Sequence, residues 1–174
     1  LPCVAWTKIA TNSTSFRFFP QGFVFDGAGV SLFTDTPEQR LAVLGLLNSS
    51  VAELALELLS PTLNFQSGYI ARLPSPPEVG YSQVGVTVSE LISIAKSDWD
   101  SQELSWDFNR NPLVATGSTE GALVSERCRA LVRDGQSVAL RQASLEMQNN
   151  EMFARLFQLH SEVRTEVSLS SVSL

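Results

Sequence analysis

The stretch TPEQRLAVLGLLNSSVAELALELL, residues 36–59, repeats apolar side chains at three- and four-residue steps. This spacing lines one face of a helix, so we predict a helix over 38–59. Thr36 and Pro37 mark its start, because a hydroxyl caps free backbone N–H groups and proline fits the first turn. Residues 48–50 (NSS), in the middle, are poor helix formers, which indicates either a break or a polar contact there.

Residues 3–33, before this helix, are rich in aromatic and β-branched side chains separated by turn residues. We predict short strands there, at 4–9, 15–19, 23–25 and 30–33. We expect the aromatic side chains of these strands in the core, namely Trp6, Phe16, Phe18, Phe23 and Phe25. Residues 64–72, after the helix, are expected to add another short strand. The sequence therefore predicts an α+β fold in which a small, mostly antiparallel sheet packs on the helix.

The remainder of the chain predicts a helical part. The stiff Ser-Pro-Pro at 75–77 ends a first part, 1–77. The next part, 78–121, is an acidic linker with seven acidic and two basic residues and a short helix at 87–97, capped by Thr87 or Ser89. The last part, 122–174, is balanced in charge and predicts one long helix or a helix pair over 122–159, with Gly135 as the weak point.

Composition excludes several classes of protein. The net charge of −6 is not the basic footprint of a stand-alone nucleic-acid binder. The two cysteines are far apart and there is one histidine, so neither a zinc site nor a Ser-His-Asp triad is expected. No run of about 18 apolar residues occurs, so we expect no membrane span. The segment alone is not expected to catalyse a reaction.

Two further features bear on the chemistry and the origin of the chain. Asp98 and Asp100 have a weak cation-binding spacing, but solvated or capping roles are more common for such acids. The chain starts at Leu-Pro-Cys without an initiator methionine, so we expect a piece of a longer cytoplasmic protein with reduced thiols.

Several phrases occur together in a specific order. They are FRFFPQGFVFD at 16–26, LLNSSVA at 46–52, LSPTLNFQSG at 59–68, KSDWDS at 96–101, LSWDF at 104–108 and LEMQNNE at 145–151. In this order they resemble the large adenine-specific DNA methyltransferases of the bacterial BREX phage-exclusion type, often called PglX. That family is itself similar to type IIG restriction–modification enzymes. The resemblance covers nearly the whole chain.

The resemblance implies a region that follows the methyltransferase core and carries target recognition. Double-stranded DNA would be the partner of the parent enzyme, and S-adenosylmethionine its cofactor. The family's catalytic [DNS]PP[YFW] motif is absent, since residues 75–78 (SPPE) lack the aromatic, and the glycine motif for the cofactor is absent too. Both would lie upstream. Whether the parent also cleaves DNA stays open.

Polar side chains on two expected loops are candidate DNA contacts. Methylating a duplex adenine requires flipping the base, so a second lobe must grip the flanking duplex and read base edges. The candidates are Lys8, Asn12, Ser13, Thr14 and Arg17 on one hairpin, and Asn64, Gln66, Tyr69 and Arg72 on the other. For each, a local role competes: Asn64 suits a turn, and Arg17 suits a solvent-facing strand position.

An alternative function is a protein-interaction module of the same defence complex. The acidic part 78–121 and the helix at 122–159 offer surfaces for partner subunits or for a phage-encoded inhibitor. A free-standing enzyme is disfavoured, because the chain lacks a recognisable nucleophile, base or cofactor motif.

Overall fold

The computed structural model describes residues 1–9, 14–59, 64–115 and 123–172, except for the side chain of Ala115. Its strands are β1 (Cys3–Thr7), β2 (Phe16–Phe19) and β3 (Gly29–Leu32). Its helices are α1 (Pro37–Leu47), α2 (Ser50–Leu59), α3 (Ser67–Ile70), α4 (Tyr81–Asp100), α5 (Pro112–Ala115) and α6 (Val124–Leu156), with single 3₁₀ turns at Glu78–Gly80 and Leu169–Ser171. The predicted α+β fold with a helical C-terminal part is confirmed.

The sheet is antiparallel with the strand order β2-β1-β3. Trp6 on the central strand lies opposite Phe16 on β2 and Val30 on β3. Side chains alternate across a strand, so Trp6 shares a face with Phe16, and the two rings lie 5.5 Å apart. Both side chains are buried, as expected from the sequence.

The strand predicted at 23–25 is wrong, because these residues form the connection between β2 and β3. Phe23 and Phe25 pack edge-on against Phe19, with ring centroids 5.2 and 5.5 Å away. Phe23 stays 43% exposed, so its expected place in the core is also wrong. Asp26 ends this connection by accepting backbone N–H bonds from residues 28 and 29, which lower the pKa of its carboxyl.

The strand predicted over 64–72 is wrong as well. Asn64 makes a single β-bridge with Ile9, and the chain then turns into the short helix α3. Phe65 and Ile70 are the buried positions of this segment. Their spacing of five residues does not fit the two-residue period of a strand.

The helix predicted over 38–59 is divided into α1 and α2, which are bent by 67°. Both expectations for residues 48–50 are confirmed, since a break and polar contacts occur together. The Asn48 side chain accepts from the Phe16 N–H (3.1 Å) and donates to the Phe16 and Leu44 carbonyls (3.0 and 3.1 Å). Because β2 is an edge strand, Asn48 satisfies backbone groups that no neighbouring strand pairs.

Helix α6 meets α1 at a buried amide pair. The Asn149 amide donates to the Gly45 carbonyl at 2.9 Å, and Asn150 accepts from the Ser50 N–H at 3.0 Å. A Cβ on Gly45 would lie 2.8 Å from both Asn149 Oδ1 and Val88 Cγ2. The close approach of α1, α4 and α6 therefore requires glycine at this position.

The helical part differs from its prediction in detail. Helix α4 spans 81–100 rather than 87–97, so Thr87 is a buried mid-helix residue and caps nothing. Helix α6 is one helix that continues through Gly135. No single helix in the described ranges is long and apolar enough to span a membrane. The bent pair of α1 and α2 reaches the length and composition of a span only when the two helices are counted together.

The chain forms two compact units. Unit 1 contains residues 1–89 and 147–166, and unit 2 contains 90–146 and 167–174. Helices α4 and α6 contribute residues to both. The parts predicted from the sequence, 1–77, 78–121 and 122–174, are not defined by these units, and this division stays a prediction.

Replacing Gly45 by alanine is expected to destabilise the chain by about 1–3 kcal/mol, because the new methyl group overpacks the junction of three helices. Urea unfolding followed by circular dichroism measures the change. Gly135→Ala is the matched control, since a Cβ there would meet no described atom within 4 Å beyond its own stretch of helix. The control should gain up to about 1 kcal/mol from helix propensity. Equal effects at the two glycines would contradict the close packing at Gly45.

Replacing Asn48 by aspartate keeps the shape but removes the amide donor to the Phe16 and Leu44 carbonyls. The free energy of unfolding should fall by about 1–2 kcal/mol, since the Phe16 carbonyl loses this donor, while the Leu44 carbonyl keeps the backbone N–H of residue 48. Asn109→Asp, at an exposed residue beyond α4, is the control and should change stability by less than about 0.5 kcal/mol. An unchanged unfolding midpoint for N48D would show that the edge of β2 does not depend on this amide.

Candidate nucleic-acid interface

The two polar segments singled out in the sequence meet in unit 1. The Phe65 N–H donates to the Lys8 carbonyl at 2.8 Å, and Ile9 forms a bridge with Asn64. The Trp6 indole N–H donates to the Phe65 carbonyl at 2.8 Å. The end of β1 and the segment before α3 are therefore joined backbone to backbone.

Three candidate side chains are exposed at this junction: Lys8, Asn64 and Gln66. We call these three residues the polar rim. Phe65 stands between two of them and is buried, with both of its backbone polar groups bonded. A buried residue thus holds its polar neighbours at the surface, which is the arrangement that a rigid recognition edge requires.

The remaining candidates of the first hairpin have different environments. Arg17 is exposed on β2, opposite the buried Ala5 of β1. Thr14 is half-buried, and its hydroxyl oxygen is enclosed without a partner among the described residues. Asn12 and Ser13 lie outside the described residues. Arg17 is therefore available at the surface, whereas Thr14 presents little of its hydroxyl.

The remaining candidates of the second segment belong to α3 and its exit. Ile70 anchors this short helix in the core, Tyr69 is half-buried, and Arg72 is exposed one turn later. The Arg72 N–H donates to the Tyr69 carbonyl at 3.1 Å. The bonds that form the junction join residues 8–9 to residues 64–65, and Arg17, Tyr69 and Arg72 lie elsewhere in unit 1.

Trp6 positions the rim, and sequence reasoning assigned it only a core role. Its ring is 4% exposed, and a buried indole N–H usually finds an acceptor. This rule indicates from the sequence alone that the Trp6 indole N–H has a hydrogen-bond acceptor. The identity of the acceptor, a carbonyl 59 residues away in sequence, was not readable from the pattern.

Three of the seven acids of the acidic part form ion pairs within unit 2. Lys96 pairs with Asp100 and Asp107, and Ser105 also donates to Asp100 at 2.8 Å. These bonds from Lys96 and Ser105 lower the pKa of Asp100, and the two carboxylates raise the pKa of Lys96. Asp100 thus binds both the Lys96 ammonium group and the Ser105 hydroxyl group. Across the described ranges, no group of three His, Cys, Asp or Glu side chains could hold a metal ion.

A second ion pair joins α4 to α6 in the same unit. Arg141 binds Glu90 through two bonds of 2.7 and 2.8 Å. The guanidinium lowers the pKa of Glu90, and the carboxylate raises that of Arg141. Glu90, Asp100 and Asp107 of the acidic part therefore have basic partners on the surface of unit 2.

Comparison with known proteins finds sequence similarity to one class of enzyme. No family model matches it. It is similar to one region of adenine-specific methyltransferases.

Two relatives carry this similarity. Adenine-specific methyltransferase PglX of Lacticaseibacillus casei (strain Zhang) is 40% identical over 111 residues, covering 64% of this chain. Adenine-specific methyltransferase BrxX of Escherichia coli O9:H4 (strain HS) is 31% identical over 111 residues, covering 63% of this chain. The matched region spans 9% of the length of each relative.

Replacing Lys96 by methionine is expected to raise the pKa of Asp100 toward the ordinary aspartate value. Asp100 contributes stability above its unfolded pKa and loses it as the pH falls through the lower folded value. Lys96 contributes below its unfolded pKa and loses it as the pH rises through the higher folded value. Carbon-13 NMR titration of the Asp100 carboxyl measures the change.

Lys96→Arg is the control for this titration, because it keeps a positive charge and N–H donors on the same helix position. The pKa of Asp100 should stay low in K96R. An Asp100 titration that is the same in K96M and the unchanged chain would contradict the ion pair.

Proposed function

We propose that this chain is the DNA target-recognition part of a site-specific adenine DNA methyltransferase. The observation that carries the proposal is the polar rim, where Lys8, Asn64 and Gln66 project from a junction fastened at Phe65. It occurs in a chain that is similar to adenine-specific methyltransferases. Lysine binds phosphates, and asparagine and glutamine match the edge of adenine, so these are suitable side chains for the task.

The chemistry of the proposed reaction explains the need for such a surface. The amino group of a duplex adenine is reached by flipping the base out of the stack, so the flanking duplex must be held by a separate lobe. The residues of the rim, with Arg17 and Arg72, would grip phosphates and read bases on that flank. Because the chain carries a net charge of −6, much of the phosphate affinity would come from the rest of the enzyme.

The parent enzyme in this proposal is a bacterial cytoplasmic protein of a BREX-type anti-phage or restriction–modification system. It would take its methyl group from S-adenosylmethionine, bound together with the catalytic motif outside residues 1–174. Residues 1–77 form the recognition part, 78–121 the linker and 122–174 the beginning of a helical region. This assignment follows the resemblance of the ordered sequence phrases.

A role as a protein-interaction module through the acidic segment is less well supported. This role was suggested by the excess of acids in 78–121. Asp100 and Asp107 are paired with Lys96, and Glu90 is paired with Arg141. The pairing concerns three of the seven acids of this part, and it reduces the negative charge that a basic partner would meet there.

Alanine substitutions at Lys8 and Arg72 of the full-length enzyme should weaken binding to duplex DNA. Each lost phosphate contact is expected to reduce the slope of log K against log salt by about 1. Alanine at Gln66 or Asn64 should cost about 1–3 kcal/mol and relax the methylated sequence at one position, as loss of a base contact does. Electrophoretic shifts over a salt series and sequencing of methylated adenines measure these effects.

Arg155→Ala is the control, because Arg155 is an exposed arginine of the same unit that pairs with Glu151 on its own helix. Its affinity, salt slope and site choice should be unchanged. Rim variants that bind and methylate the same sites as the unchanged enzyme would rule out the proposed recognition role.

A further inference from the structure

Helix α6 carries a heptad stripe along its first half. In steps of four and three residues, this stripe consists of Val124, Cys128, Leu131, Gly135 and Val138. We call these five residues the α6 seam. Such alternating steps keep one helix face in register with a neighbouring helix, as in coiled coils. Glycine and cysteine are small, so they permit a close approach of a second backbone.

The seam continues into residues that are buried in the fold. Gln142 and Leu145 follow at the next steps of four and three residues, and they are only 3% and 2% exposed. The seam itself is open, with Val124 67% and Val138 39% exposed. One continuous helix face therefore changes from packed to unpacked inside unit 2, while its steps of four and three residues continue.

Unit 2 also leaves apolar residues incompletely covered on its other long helix. Leu91, Ile92 and Ile94 of α4 are only half-buried. Helix α4 is tied to α6 by the pair of Glu90 and Arg141. Two helices that both leave apolar faces partly open lack the additional layer that closes a helical core.

The surroundings of the seam favour an acidic partner. Arg127 and Arg129 flank Cys128 on the two sides of the stripe, and neither makes an ion pair within the described part of the chain. The Arg127 Nε is enclosed and has no acceptor among the described residues. Carboxylates on the covering helix would satisfy these guanidinium groups.

We propose that the α6 seam binds an amphipathic helix with acidic flanks, supplied by the same polypeptide from outside residues 1–174. This inference rests on the proposed function, in which the chain is one part of a longer methyltransferase. The curated relatives support that source, because more than nine-tenths of their length lies outside the matched region. The seam would thereby fix the recognition part to another part of the enzyme.

The reactivity of Cys128 tests the proposal in the full-length protein. Cys128 is exposed in this chain, whereas Cys3 is buried. N-ethylmaleimide labelling in native buffer and in urea, followed by mass spectrometry, gives the protection of each thiol. Cys128 should be protected by about tenfold or more, as a covered site is, at every protein concentration. Cys3 serves as the internal reference for a buried thiol.

Paired variants identify the face involved. Leu131→Asn places a polar group in the seam and should return the labelling rate of Cys128 close to its value in urea. Leu140→Asn makes the same change at an exposed leucine on the opposite side of α6 and should leave the protection intact. The thiol readout needs neither DNA nor methyl transfer, so this inference and the proposed function fail separately.

Three results would overturn the proposal. The first is labelling of Cys128 in the native full-length protein at the rate found in urea. The second is protection that disappears on dilution, which assigns the seam to a second copy or a separate subunit. The third is protection that L140N abolishes and L131N retains, which places the contact on the other face of α6.

Discussion

The fold depends on one polar junction where the chain bends between α1 and α2. The first N–H groups of a helix have no partner in their own helix, and the Ser50 N–H receives its acceptor from Asn150, one hundred residues later. Its neighbour Asn149 bonds the Gly45 carbonyl at the end of α1. Unpaired buried amides are costly, so these bonds specify how α6 packs on the bend.

The same bend positions the sheet. Asn48 bonds both polar groups of the Phe16 backbone, so it occupies the place of a further strand beside β2. Three adjacent residues, 48–50, therefore connect the sheet on one side and α6 on the other. The sheet in turn places the end of β1 against Phe65, and that contact sets the positions of Lys8 and Asn64.

The phrases that suggested the enzyme family are largely structural. The Ser50 N–H of the NSS phrase donates to Asn150 of the LEMQNNE phrase. Lys96 of the acidic phrases forms ion pairs with Asp100 and Asp107 within unit 2. They identify a fold, because each depends on a partner elsewhere in the chain. Side chains that would choose a DNA sequence must face outward, as Lys8 does outside these phrases and Gln66 does within the phrase at 59–68.

Much of the local structure was determined by the sequence alone. Helical periodicity and the Thr36 cap predicted the start of α1, and Thr36 indeed accepts from the Gln39 N–H at 3.1 Å. Alternation and turn residues predicted the antiparallel sheet. The wrongly predicted strands were short segments, 23–25 and 64–72, because a few residues carry too little periodicity to separate a strand from an anchored loop.

The candidate site was only half determined by the sequence. Residue types predicted which side chains are polar and lie on connections. Only the tertiary structure decided that Lys8 lies beside Asn64, because their association depends on backbone hydrogen bonds and on the Trp6 indole reaching the Phe65 carbonyl. Backbone groups are the same in every residue, so no sequence pattern specifies which of them will pair over such a separation.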